Sequence, residues 1–248
     1  MHLFTKNIFL SGLFLLIAQT LFGQMGKNKS DFTLYTKEKT IAPLLHSNGY
    51  GGQFQYAWYQ KPNTFLLLDV TAYRLRHPKE ILINNPDHKD SRSYVFGKLN
   101  NCYLLKGGFG GKSVLADKNN EKAIRISVNY TAGAILCLLK PAYFEIAKDN
   151  NENTPQYQKF NAVDDKQHTN IIGKAPIEIG ISEMGGIMGL GGKTSLSFEM
   201  GKTPLNFYFI ELGATVDAFP VAVPIFAYEN NQKIFVNLFV AVGLGKRN

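Results

Sequence analysis

The sequence predicts an all-β protein, an antiparallel up-and-down transmembrane β-barrel of about eight strands, and three observations carry that expectation. Apolar and polar residues alternate strictly over long stretches, such as residues 123–139. Such alternation is the period of a strand whose two faces meet different surroundings. Beyond residue 24 no run approaches the roughly 20 apolar residues of a spanning helix, which leaves strands as the only means of crossing a bilayer. The connections between the alternating stretches are short and long in turn, as in barrels with one rim of tight turns and one of long loops.

The chain opens with Lys6 followed by an apolar run from Ile8 to Ala18 and a close at Phe22-Gly23-Gln24, the layout of a cleavable signal peptide. No cysteine lies near that junction, which argues against lipid attachment. The expected organisation is signal peptide 1–24, N-terminal periplasmic segment 25–36 and outer-membrane barrel domain 37–248.

The first strand, 37–46, is announced by the Asn48-Gly49 hairpin pair after it, with Pro43 implying a bulge or irregular start. Strand 51–60 sets Phe54, Tyr56 and Trp58 against Gln53 and Gln55, and strand 65–76 sets Leu66, Leu68, Val70 and Ala72 against Asp69 and Thr71. In 95–112, Leu99, Tyr103, Leu105 and Phe109 oppose Lys98, Asn100 and Lys106. The cleanest pattern places Ile126, Val128, Leu136 and Leu138 against Arg125, Ser127, Asn129 and Thr131. Stretches 187–200, 205–219 and 234–245 repeat it. Links near 61–63, 116–121 and 201–203 are short, whereas 77–94, 140–186 and 220–232 are long. Residues 149–169, rich in Asn, Asp, Lys and Gln, read as a mobile loop.

Alternation does not say which face is inside, since a soluble ligand-binding barrel has the opposite polarity. The polar face decides, being mostly Gly, Ser, Thr, Asn and Gln with few charges, which suits a narrow filled lumen. The expected lumen network is Asp69, Lys98, Lys106, Arg125, Lys193, Glu199, Glu211 and Asp217, with Lys193 facing Glu211 across its strand pair if the turn at 201–203 is tight. A proton or ion path through that lumen is the functional alternative.

The formal charge is +8, which suits anionic headgroups or polysaccharide; nucleic acid is not an expected partner of an exported chain. Cys102 and Cys137 are the two cysteines, and the expected hairpin register sets them about five residues out of alignment, on the order of 15 Å, so no disulfide is expected.

Candidate chemistry is sparse. Gly111-Lys112-Ser113 and Gly192-Lys193-Thr194 lack the upstream glycine of a phosphate loop, with Lys106 and Ile187 in its place. His46, His77, His88 and His168 show no metal-ligand spacing, and Asp87-His88-Lys89-Asp90 reads as a solvated loop. No nucleophile elbow is present, although His77 and His88 share a loop with Ser91 and Ser93. No catalytic, cofactor or metal residue is therefore assigned. Arg74, Arg76, His77 and Lys79 form a basic cluster at a strand end, a possible contact for lipopolysaccharide phosphates or a surface partner.

Four stretches are distinctive: His46-Ser47-Asn48-Gly49-Tyr50-Gly51, His77-Pro78-Lys79-Glu80, the run from Tyr94 to Asn101, and Leu244-Gly245-Lys246-Arg247. On these motifs the chain resembles an uncharacterised family of outer-membrane β-barrel proteins from Bacteroidota. The resemblance implies fold and location and no catalytic residues. One departure is the close on Lys246-Arg247-Asn248, without the terminal aromatic common in barrel-insertion signals. The reading is a non-enzymatic, monomeric outer-membrane barrel in contact with lipid, acting through its long loops. A lipid-modifying enzyme and a soluble periplasmic barrel with an apolar ligand are the alternatives.

Overall fold

The computed structural model describes residues 36–248 apart from 78, 89–90, 119–122, 149–150, 161–169, 202, 204 and 228–230, with the backbone alone at 147–148 and 151–155. The expected signal peptide and nearly all of segment 25–36 lie outside the described residues.

Eight long strands close into one antiparallel barrel: β1 (Lys37–His46), β2 (Gly49–Lys61), β3 (Thr64–Leu75), β6 (Asn100–Ala116), β7 (Arg125–Pro141), β11 (Gly185–Met200), β12 (Asn206–Ala218) and β13 (Ile234–Arg247). Their order around the wall is β1-β13-β12-β11-β7-β6-β3-β2, so every strand pairs with its neighbours in this series and no edge is left open. The links β2–β3, β6–β7 and β11–β12 lie on a short rim, and the links after β3, β7 and β12 form a long rim.

Alternation sets the two faces as expected. Met188, Leu190 and Leu238 point outward and are 73, 71 and 68 % exposed, whereas Glu211 and Asp217 are 0 % exposed. Ile126, Leu136, Ile210 and Val240 face out, and Arg125 is buried. This polarity overturns the soluble-barrel alternative, which needs the apolar residues inside. Trp58 and Tyr56 stand on the outer face toward the short rim, and Tyr50 and Tyr103 toward the long one, where amphipathic rings suit a membrane interface.

Four details depart from the sequence expectation. Pro43 makes no bulge: its pairing with β2 is continuous, and only the ladder to β13 lapses at Ala42 and Pro43. A strand partner without an N–H loses hydrogen bonds there without shifting the register. Between β11 and β12, Lys193 lies opposite Thr215, and Ser197 opposite Glu211. β12 starts at Asn206, so the turn is longer than expected and the register moves by an even number of residues, which keeps every side chain on its face.

The cysteine expectation is corrected. In the β6–β7 pair Cys102 lies opposite Leu139 and Cys137 opposite Leu104, a diagonal offset of two residues, with a bulge between Val114 and Ala116. Both side chains point inward, their Cα atoms are 6.3 Å apart, and they form a disulfide. The turn at the far end of this hairpin sets the register, and its position brings the thiols together rather than apart.

The expected loop 149–169 is in part a strand. β8 (Tyr143–Lys148) follows β7 after Ala142 alone and pairs with β9 (Asn151–Lys159) and β10 (Ile171–Lys174) in a separate three-stranded sheet. Tyr94, Phe144, Ile146, Phe160 and Ile171 give this long-rim sheet its own apolar core. The remainder of 149–169 lies outside the described residues. A two-residue pair, β4 (Leu82–Ile83) with β5 (Tyr94–Val95), crosses the loop after β3.

Candidate functional site

Two places concentrate polar chemistry: the barrel interior and the exterior of the long rim. The interior is built in layers. Nearest the short rim, Glu38 and Arg247 meet at 3.0 Å, with Lys112 on Glu38 and Glu199 on Arg247. Lys118 lies 3.5 Å from Glu199, and Arg125 pairs with Asp117 at 3.2 Å.

The middle layer centres on Lys193, whose Nζ lies 2.7 Å from Asp69 Oδ2, 2.7 Å from Gln53 Oε1 and 3.4 Å from Glu211 Oε1. Glu211 accepts from Ser195 Oγ at 2.6 Å and Gln53 Nε2 at 2.7 Å, and Asp69 accepts from Thr71 Oγ1 at 2.7 Å and Gln55 Nε2 at 2.9 Å. Above it Lys106 meets Asp217 at 2.5 Å, and the Tyr73 hydroxyl donates to the same carboxylate at 2.7 Å. His46 stacks on the Tyr73 ring at 4.2 Å.

Among the described residues, six cations (Lys106, Lys112, Lys118, Arg125, Lys193, Arg247) thus meet six carboxylates (Glu38, Asp69, Asp117, Glu199, Glu211, Asp217). Balance of this kind is what a low-dielectric interior requires, because an unpaired buried charge costs several kcal/mol. Beside Lys106 and Lys193 a cavity of about 30 Å³ remains, bordered by Gly108, Gly133 and Gly191, room for no more than a water or two. Toward the long rim the lumen turns apolar: Leu75, Leu104, Ile135, the disulfide, Phe219 and Val223 pack together over the charges.

Seven of the eight residues expected in the lumen, Asp69, Lys106, Arg125, Lys193, Glu199, Glu211 and Asp217, sit on inward faces of barrel strands. Lys98 does not. It precedes β6, bridges to Phe226 in the loop after β12, and pairs with Glu80 at 2.7 Å in the long-rim loops. Its position in the alternation matched the lumen face, but the strand begins only at Asn100. Burial pulls the Lys98 ammonium below its ordinary range, and the hydrogen bond and charge of Glu80 oppose that pull. Sequence reasoning left Glu38, Lys112 and Arg247 out of the network, and set Gln53 on the polar face without joining it to the charges. Each stands at an inward position, and extending the alternation to the strand ends would have found Glu38 and Arg247.

The basic cluster splits. Arg74 lies on the outer face of β3 and donates to Asn101 Oδ1 at 3.0 Å. Arg76 lies 3.6 Å from Glu80. The His77 ring packs on Phe226 at 5.2 Å, and His77 Nδ1 accepts the Lys79 backbone N–H at 3.2 Å. A groove of about 380 Å³ opens beside these residues, lined by Arg74, Arg76, Arg92, Lys98, Lys140 and Lys174, with Ser93 and Glu80 among them.

A closed eight-stranded antiparallel barrel, apolar on its outer face and charge-paired within, defines a transmembrane β-barrel protein. No protein-family model matches the sequence, and no curated protein matches it. Among solved structures the chain is similar to Neisserial surface protein A, at 9 % identity and a TM-score of 0.41 over 86 % of this chain and 97 % of that one. It is also similar to Ail of Yersinia pestis in complex with the heparin analogue sucrose octasulfate, at 8 % identity and a TM-score of 0.40 over 87 % of this chain and 100 % of that one. A third is the outer membrane protein OprG of Pseudomonas aeruginosa, at 7 % identity and a TM-score of 0.36 over 86 % of this chain and 97 % of that one. What the chain does is to be read from its own residues.

Proposed function

We propose that this is a monomeric outer-membrane protein, exported through a signal peptide at residues 1–24, that acts without catalysis through its long-loop rim at the cell surface. The observation that carries the reading is the apolar exterior, which runs around the strands while charges pair inside. At about 3.3 Å per residue and a tilt near 40°, strands of this length cover an apolar band of roughly 25 Å, which matches an outer membrane. The filled lumen makes the barrel a support, not a conduit. The surface cluster Arg74, Arg76, His77 and Lys79 faces lipopolysaccharide or a surface partner, and the four motifs noted above support membership of the Bacteroidota barrel family.

Two measurements test this together. Membrane fractionation should recover the mature chain with the outer membrane, and the unheated protein should migrate faster than the heated one on a detergent gel. Recovery in the soluble periplasm would sink the reading.

A further inference from the structure

Arg74, Asn101, Tyr103 and Lys140 stand on three adjacent strands, β3, β6 and β7, within two residues of one another in register. Arg74 lies opposite Tyr103 in the β3–β6 ladder, and Asn101 opposite Lys140 in the β6–β7 ladder. All four share the outer face with Ala72, Leu105 and Leu138, the residues that meet lipid tails immediately below. These cations therefore sit on the bilayer side of the wall at its long-rim border, where headgroups lie.

The groove formed there is lined by six cationic side chains and one carboxylate, Glu80. Arg76 and Lys98 share Glu80, and Arg92 pairs with Glu145. Lys140, 8 % exposed, feels the charge of Glu178 but has no ion pair within 4 Å among the described residues, and Arg74 Nε is buried with no hydrogen-bond acceptor. A buried guanidinium N–H without an acceptor is destabilising, a penalty that a phosphate oxygen would remove. The borders are greasy: Leu82, Ile177 and Ile179 line the same groove, and Leu82 and Ile177 are 60 and 69 % exposed. Cations on the floor and aliphatic side chains at the edge match a phosphate joined to acyl chains and not a freely soluble anion.

We propose that this groove seats the phosphorylated headgroup of an outer-leaflet lipid, with Arg74 and Lys140 as its phosphate ligands and Tyr103 against the upper part of an acyl chain. The inference rests on the outer-membrane reading above and moves the contact from His77 and Lys79 to the wall side of the rim.

The full chain, folded in dodecyl maltoside, is titrated with diphosphoryl lipid A and with the same lipid dephosphorylated, and retention is read by native mass spectrometry. Diphosphoryl lipid A should be retained about ten-fold more strongly, and Arg74→Gln with Lys140→Gln should remove about that factor. Lys39→Gln with Lys246→Gln, an equal charge change on the outer face near the short rim, should change retention by less than about two-fold. Equal retention of the two lipids overturns the proposal, as does displacement of lipid A by an equimolar amount of inorganic phosphate. The comparison of lipids on the unmodified chain decides the matter even where the double variant does not fold. A chain that fractionates with the outer membrane and is heat-modifiable, yet retains both lipids alike, keeps the barrel reading and loses this one.

Discussion

Arg247 on the last strand and Glu38 on the first are register partners across the seam that closes the barrel, and their side chains meet inside it at 3.0 Å. The seam joins the two strands furthest apart in sequence, so this contact forms only when the sheet has curled fully round. Lys112 and Glu199 hold the pair from the other walls. Arg247→Met leaves Glu38 and Glu199 without their shared cation, and removing one member of a buried pair costs about 3–5 kcal/mol. Urea unfolding of the folded gel band should show a loss of that order; a change below about 1 kcal/mol would mean that the seam closes without the pair.

Lys193 serves two carboxylates at once, which changes what a charge swap can do. Sequence pairing of Lys193 with Glu211 implies that exchanging the two preserves folding. With Asp69 Oδ2 at 2.7 Å from the same ammonium, Lys193→Glu with Glu211→Lys would set a new carboxylate beside Asp69. The swap is therefore expected to fold worse than Glu211→Gln, which keeps the Ser195 and Gln53 hydrogen bonds in part. Refolding yields into detergent, compared between the two variants, check the order.

The disulfide crosslinks the β6–β7 hairpin within the apolar plug. In the chain-entropy view a crosslink over this sequence separation of 35 residues contributes about 3–4 kcal/mol. Cys102→Ala with Cys137→Ala should lower the temperature at which the folded band converts to the unfolded one, and reductant should have no effect on the variant. Unchanged conversion temperatures would show that packing of Leu104, Ile135 and Phe219 holds the plug alone.

Gly108, Gly133 and Gly191 lie in one row across β6, β7 and β11. A Cβ on Gly133 would come within 2.0 Å of the Gly107 carbonyl oxygen and 2.7 Å of Gly108 Cα, both backbone. The strands cannot give way without parting, so Gly133→Ala should cost about 1–3 kcal/mol, read by the same urea unfolding. A neutral outcome would mean that the β6–β7 ladder can open there at no cost.

The eight strands and their faces were legible because period-two alternation is written into each segment and needs no partner to be seen. The lumen charges on strand interiors were legible for the same reason. What alternation cannot carry is register, which depends on where a turn ends: hence the misplaced cysteines and the four-residue error at Lys193. Lys98 shows a further gap, since a residue just before a strand shares its alternation without sharing its wall. The apolar plug was hidden because Cys102, Leu104, Ile135 and Phe235 are apolar residues on the face that reads as polar elsewhere. The strand at Asn151–Lys159 escaped notice because a sheet raised above the membrane has no lipid face to make it greasy.

Above the membrane, one exposed cluster ties the long-rim sheet to the segment leading into β11. The Tyr143 hydroxyl donates to Glu183 at 2.6 Å, and Lys159, register partner of Tyr143, pairs with the same carboxylate. The Lys159 and Tyr143 hydrogen bonds hold the Glu183 carboxyl below its ordinary range, and Glu183 holds the Lys159 ammonium above its own. A lowered carboxylate contributes stability that is present above its ordinary pKa of 4.5 and lost as pH falls through the lowered value. The raised lysine contributes below its ordinary 10.5 and loses that contribution at higher pH, so neutral conditions keep both. Hydrogen exchange of β8 and β9 amides, corrected for intrinsic rates, should therefore speed up as pH falls from about 5 toward 3. Glu183→Gln should flatten that dependence and raise exchange at neutral pH, by a small factor because the cluster is solvent-screened. A Glu183→Gln sheet with the same acid sensitivity as the parent would assign the sensitivity to another carboxylate.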